Sequence, residues 1–279
     1  MTKSNLNYFI LLFTGLAIGF SSCEKDGPDP DTDSSGSGCA YLLTKEDIVI
    51  VDSTNGNSQT TATLTYTYNS SNKLVKLIKS AGGTLMGYDT ILYTTGGEVD
   101  SVKSYTAGGT LEVSKEFTYS SGRISSIKEA VTGTTSYTRT AAYTYNGSGQ
   151  LTDMNVSYQV GNFDDEEIEA ITGITYTNGN ITGGNVDMFG TPVNPPAVPA
   201  TIEYETTAPN PYKGSVILEP VKIPELFSAN NMTKAYPTGS PTTPFIENEY
   251  TYENGRVKTL STGSVGQYSE VRTLTYECK

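Results

Sequence analysis

The sequence predicts an all-β protein, an antiparallel meander of repeated β-hairpins that forms a large barrel-like or strongly curled sheet. Three observations predict it. A tyrosine-led unit recurs along the chain, most copies run into a turn rich in Asn, Ser or Gly, and Thr, Ser, Tyr and Gly dominate the composition, with 20 Tyr and 28 Gly in 279 residues. β-Branched and aromatic side chains suit a pleated, half-buried surface, and no segment after residue 23 carries the periodicity of a helix.

The first element is an address. Lys3 precedes a short apolar stretch, Tyr8 to Phe20, and small residues Ser21 and Ser22 lead into Cys23. About a dozen apolar residues are too few to span a bilayer, so residues 1–22 read as a signal peptide. The FSSC ending resembles a bacterial lipobox, which implies that Cys23 is the acylated first residue of the mature chain. Each buried acyl CH₂ contributes about 0.8 kcal/mol, and two or more chains hold a protein on a membrane. Residues 23–38 (CEKDGPDPDTDSSGSG) form an acidic, Pro/Gly/Ser-rich tether that cannot build a core. Glu24 and Asp26 around Lys25 resemble the export signal that sends Bacteroidota lipoproteins to the outer face of the outer membrane.

With Cys23 acylated, Cys39 and Cys278 remain, one at each end of a single β domain over residues 39–279. An oxidising compartment favours a disulfide between them. Closing so long a loop contributes about 5 kcal/mol in the chain-entropy model and draws the first and last strands together.

The domain is built on one repeat. Clear copies begin at Thr63 (TLTYTYNSSNKLVKLIKS), Glu116 (EFTYSSGRISSIKEA), Ala142 (AYTYNGSGQLTDMNVSY) and Glu249 (EYTYENGRVKTLST), and weaker ones at Ile91, Gly173 and Thr273. Tyr68, Tyr93, Tyr119, Tyr145 and Tyr176 hold the same position in successive units. Residues two apart share a face of a strand, so the two tyrosines of YTY point one way and the Thr between them the other. The Asn, Ser and Gly that follow supply the positive-φ positions of a tight hairpin. Each second strand opens with apolar residues three apart: Leu74 and Leu77, Val99 and Val102, Ile124 and Ile127, Leu151 and Met154, Val257 and Leu260. Such a pair faces opposite sides of a regular strand, so either the first residue covers the turn or a bulge intervenes. Seven or eight hairpins in series give about fourteen to sixteen strands, and a sheet of that size curls or closes.

This unit resembles the YD-type repeats of bacterial surface shells, with Asn, Ser, Thr or Glu in place of the Asp. Over residues 40–279 the layout is similar to a family of uncharacterised Bacteroidota lipoproteins with a porin-like fold, including the NPYKG and SANN segments between Ile202 and Tyr236. The resemblance implies a fold and carries no catalytic residues. A membrane-spanning barrel needs a continuous apolar outward band, whereas the outward positions here are Thr, Ser, Lys and Glu.

Function classes are bounded by what the chain holds. With 30 Asp+Glu against 18 Lys+Arg, the surface repels phosphate backbones, so nucleic acid is an unfavourable partner. No His is present, and no nucleophile-elbow or phosphate-cradling motif occurs. The expectation is a non-enzymatic scaffold without cofactor or metal, held on the membrane by its lipid and meeting an extracellular glycan or protein. A glycan-binding or carboxylate-based glycan-processing lipoprotein and a structural assembly subunit are the alternatives. Tyr66, Tyr68, Tyr119, Tyr143 and Tyr145 are candidate ligand-facing residues, since ring faces stack on sugars; at repeat spacing they are more simply core packing. The acidic run Asp164 to Glu169 lacks calcium-loop spacing and reads as a solvated tip. A Pro-rich insertion at about residues 186–248 is expected to be mostly loop, either a ligand site or a plug anchored by Tyr212, Leu218, Leu226 and Phe227.

Overall fold

The computed structural model describes residues 41–52, 58–133, 136–160, 166–188, 198–210, 228–237, 244, 246–264 and 268–278. Cys23, Cys39, the signal segment, the tether and residues 211–227 lie outside the described residues. Sixteen strands follow one another: β1 Tyr41–Asp52, β2 Ser58–Tyr68, β3 Leu74–Ala81, β4 Thr84–Tyr93, β5 Val99–Thr106, β6 Leu111–Ser120, β7 Arg123–Val131, β8 Tyr137–Tyr145, β9 Leu151–Val160, β10 Glu166–Thr177, β11 Asn180–Met188, β12 Val198–Pro209, β13 Asn230–Pro237, β14 Ile246–Glu253, β15 Arg256–Ser264 and β16 Tyr268–Cys278. Each pairs antiparallel with its neighbours in sequence, and β1 pairs with β16 to close the ring. No helix occurs among the described residues.

The meander, and the barrel it forms, follow from the repeat. The first strand of each unit ends on a tyrosine, turns through residues with positive φ such as Asn72, Ser121, Asn178 and Asn254, and returns as the next strand. A bulge sits at the same place in six hairpins, between Thr67 and Tyr68, Leu92 and Tyr93, Thr118 and Tyr119, Thr144 and Tyr145, Thr175 and Tyr176, and Thr251 and Tyr252. The extra residue shifts the register by one, which is how Leu74 and Leu77, three apart, both reach the interior at 0% and 2% exposure.

Alternation decides which face is wet. Along β2, Ala62, Leu64, Tyr66 and Tyr68 are buried, while Thr61, Thr65 and Thr67 between them are exposed and Thr63 is half-buried. The buried residues join in two clusters. One draws on β1 to β5, β15 and β16, around Ile48, Leu64, Leu74, Leu77, Val102 and Leu274. The other draws on β7 to β11, around Ile127, Leu151, Met154 and Val156, and Phe117 and Ile124 pack against both. Sixteen strands around an empty circle would enclose water; here two clusters of buried side chains, with partly buried neighbours packed against them, fill inward positions.

The Pro-rich insertion, expected to be mostly loop, contains strands among its described residues. Within it β12 and β13 form a barrel hairpin, with Ala200 opposite Pro237 and Pro209 opposite Asn230. The prolines permit this because Pro199, Pro209 and Pro237 sit at strand ends, where a missing N–H interrupts little of the ladder.

Candidate functional site

The repeat tyrosines build a ring of staples along the rim that carries their turns. The Tyr68 hydroxyl donates to the Leu43 carbonyl at 2.8 Å, Tyr93 to Leu74 at 2.8 Å, Tyr119 to Val99 at 3.0 Å and Tyr145 to Ile124 at 2.9 Å; the Tyr176 hydroxyl meets the Leu151 backbone. From Leu74 onward, each partner is the residue opposite the preceding unit's tyrosine: Leu74 opposite Tyr68, Val99 opposite Tyr93, Ile124 opposite Tyr119 and Leu151 opposite Tyr145. The bulge breaks the even ladder at that residue, and the next unit's hydroxyl bonds to its backbone. Each unit is thereby pinned to the one before it. Burial holds the phenol pKa of Tyr119, Tyr145 and Tyr176 up at about 12, and pushes Tyr68 and Tyr93 higher still.

The interior also holds ionisable side chains, which alternation placed there without any sequence signal. Where β1 meets β16, Arg272 donates from Nη1 to the Glu46 carboxylate at 3.0 Å and from Nε to Glu270. The Tyr66 hydroxyl donates to the other Glu46 oxygen at 2.5 Å. Arg272 and Glu46 are 2% and 0% exposed. Burial raises the Glu46 pKa above the usual carboxylate range, and the Arg272 charge and the Tyr66 hydrogen bond oppose that rise. Across the barrel wall, Lys115, Glu129 and Arg139 occupy one register row of β6, β7 and β8. Both cations converge on one Glu129 oxygen, at 3.5 and 3.1 Å. Lys79 and Asp89 pair at 2.9 Å between β3 and β4. These are partnered, enclosed groups. Glu46 and Glu270 share one guanidinium, so as a pair they offer no glycosidase-type acid and base to a substrate.

A third polar set surrounds the β12–β13 hairpin. Among the described residues, two residue pairs join β11 to β12 and two join β13 to β14. Side-chain amides and hydroxyls add bridges. Asn180 Nδ2 donates to Asn230 Oδ1 at 3.0 Å, and the Ile181 N–H donates to Ser228 Oγ at 3.1 Å. On the other side Asn248 Nδ2 and the Tyr250 hydroxyl both donate to the Met232 carbonyl, at 3.0 and 2.9 Å.

The tyrosines singled out from the sequence stand in these networks. Tyr66, Tyr68 and Tyr143 are buried at 3%, 9% and 6% exposure, which leaves their ring faces to the core; Tyr119 and Tyr145 are half-buried staples. Cys278 is disulfide-bonded and its strand position lies opposite Tyr41; its proposed partner Cys39 is outside the described residues, as are Asp164, Asp165 and the anchors Tyr212, Leu218, Leu226 and Phe227. Among the described residues, no group of three or more Cys, Asp or Glu is placed to hold a metal ion.

A solved structure, a porin-like protein from Bacteroides uniformis ATCC 8492, superposes with a TM-score of 0.54 over 84% of this chain and 98% of its own, at 16% identity. The fold is porin-like. At that identity the likeness concerns the fold alone. The TcdB2-TccC3 structure without its hypervariable C-terminal region aligns with 75% of this chain and 10% of its own, at 12% identity and a TM-score of 0.20, too low to carry an argument. No protein-family model matches the chain, and neither does any curated protein.

Proposed function

We propose that the protein is a lipid-anchored, non-enzymatic β-scaffold displayed at the outer surface of the outer membrane, related to the uncharacterised Bacteroidota lipoproteins whose repeat its own resembles. The polarity of the porin-like barrel carries this reading. A barrel in lipid turns its apolar residues outward; this one turns Leu64, Leu74 and Met154 inward at 0% exposure, and along β2 its outer face is threonine, although Leu85, Met86, Leu92, Leu111 and Val271 are exposed elsewhere. Such a wall suits water, so attachment falls to the acyl chains on Cys23. Tyr41 and Cys278 share the tyrosine rim, so a tether and a Cys39–Cys278 disulfide would both meet the barrel there, leaving the opposite rim facing away from the membrane.

Fractionation tests the reading. With Cys23→Ala, the barrel is expected to leave the membrane fraction and stay folded in buffer without detergent. A barrel that remains in the membrane fraction and resists carbonate extraction would overturn it.

A further inference from the structure

Two patches interrupt the hydroxyl-rich outer wall, and they differ in charge. The first crosses β3 to β6 near the rim opposite the tyrosines. Ile78, Tyr88, Tyr105 and Leu111 stand opposite one another in a single row across the four strands. Leu85, Met86 and Leu111 are 42%, 41% and 38% exposed. Tyr88 and Tyr105 stack with centroids 5.1 Å apart, and Lys76 Nζ lies 4.6 Å from the Tyr88 centroid. The ring faces are thus spent on one another and on Lys76, so the patch offers edges, hydroxyls and aliphatic tips, which pack against protein better than against a sugar ring. Lys76, Thr90, Lys103 and Ser114 form the adjoining row. Lys76 and Lys103 are the basic side chains of the two rows, with Glu112 at the bulge beside Leu111.

The second patch crosses β14 to β1. Glu249, Ser261, Val271 and Val49 make one row, and Glu247, Gly263, Ser269 and Val51 the next. Val271 is 39% exposed. Its carboxylates Glu247 and Glu249 are exposed; Lys234 pairs with Glu247 at 3.0 Å, and Lys45 with Asp47 at 2.7 Å, at its borders.

We infer that the protein self-associates head to tail, the cation-bordered patch of one copy docking on the carboxylate-bordered patch of the next. Patch on like patch would set Lys against Lys or Glu against Glu, whereas unlike patches bring apolar rows and opposite charges together. β1 and β5 are four of sixteen strand steps apart around the ring, so the contact is heterologous and repeats from copy to copy. Both patches lie toward the rim opposite the tyrosines, which keeps neighbouring barrels side by side with the same rim forward. This matches a row of scaffolds on one membrane, although the contact itself does not require the lipid.

Sedimentation velocity of the purified protein in a mild nonionic detergent, over a wide concentration range, tests it. The wild type is expected to form concentration-dependent oligomers that weaken in high salt. Lys76→Glu with Lys103→Glu, and separately Glu247→Lys with Glu249→Lys, should each weaken association by about tenfold or more. Mixing the two variants should restore it, because each supplies the charge the other lacks. Unchanged far-ultraviolet spectra would confirm that both variants fold. A wild type that stays monomeric at every concentration, or a mixture that associates no better than either variant alone, would overturn the inference.

Discussion

The hairpins of β2 to β10 and the hairpin of β12 and β13 belong to one barrel but are held by different means. In the first region the ladders are long: β2 pairs with β3 from Ala62 to Tyr68, and β8 with β9 from Tyr137 to Tyr145. Tyrosine hydroxyls there fasten each unit to the last. In the second, the described residues give two ladder pairs each to β11 and β14, and Asn180, Asn230, Ser228 and Asn248 add side-chain bridges. Backbone pairing is tolerant of sequence, because every residue but proline brings a donor and an acceptor. Side-chain pairing depends on a few amides. The repeat thus buys redundancy that the insertion lacks.

The largest expected effect lies at the seam where β1 meets β16 and the barrel closes. Arg272→Met leaves the buried Glu46 carboxylate without its cation and should cost about 3–5 kcal/mol, read as a lower urea midpoint; Lys45→Ala, which removes an exposed pair from the same strand, should cost about 0–1 kcal/mol. Next comes alkali. The unfolded chain releases phenolic protons near pH 10, while Tyr119, Tyr145 and Tyr176 hold theirs to about 12 in the fold. The fold then binds more protons than the unfolded chain, so their contribution is complete below pH 10 and is lost as pH rises toward 12. Urea midpoints measured across that window should fall, with a late ultraviolet phase of tyrosine ionisation.

Smaller effects separate the two regions. Asn180→Ala strips a partner from Asn230 and should cost about 1–3 kcal/mol; hydrogen exchange should quicken in β11 to β13 and stay slow in β2 to β9. Tyr145→Phe removes one staple and should cost about 0.5–1.5 kcal/mol, with faster exchange confined to β7 to β9. Exchange that quickened uniformly in both variants would erase the distinction between the regions.

The repeat region was legible because its signals are local: YTY marks a strand end, Asn or Gly the turn, and apolar residues three apart the bulge. What the sequence concealed is nonlocal or rests on exceptions. Leu74 and Leu151 look like ordinary core residues, and nothing nearby announces that a tyrosine 19 or 25 positions later will bond to their backbone. Glu46, Glu129 and Arg272 fall at inward positions of strands where a charged letter suggests the wet face. For Glu46 and Arg272, 226 residues apart, only the pairing of the first and last strands reveals the partner, whereas Glu129 finds Lys115 and Arg139 on the strands next to its own. The strands β12 and β13 were obscured by prolines, whose penalty depends on position along a strand, and strand ends are hard to place by composition. Tyr66, Tyr68 and Tyr143 were rightly assigned to strands, and their burial follows from the same alternation.

The central claim is that the barrel wall is wet and its interior closed. Single cysteines at Thr61, Thr65 and Thr67, and at Leu64 and Tyr66, read both faces of β2 with a charged, water-soluble maleimide applied to membranes from cells that make the protein. The three threonine positions should label readily, and the two between them only after unfolding. Protection of the threonine positions by lipid, with rapid labelling at Leu64 and Tyr66 from a water-filled lumen, would contradict it.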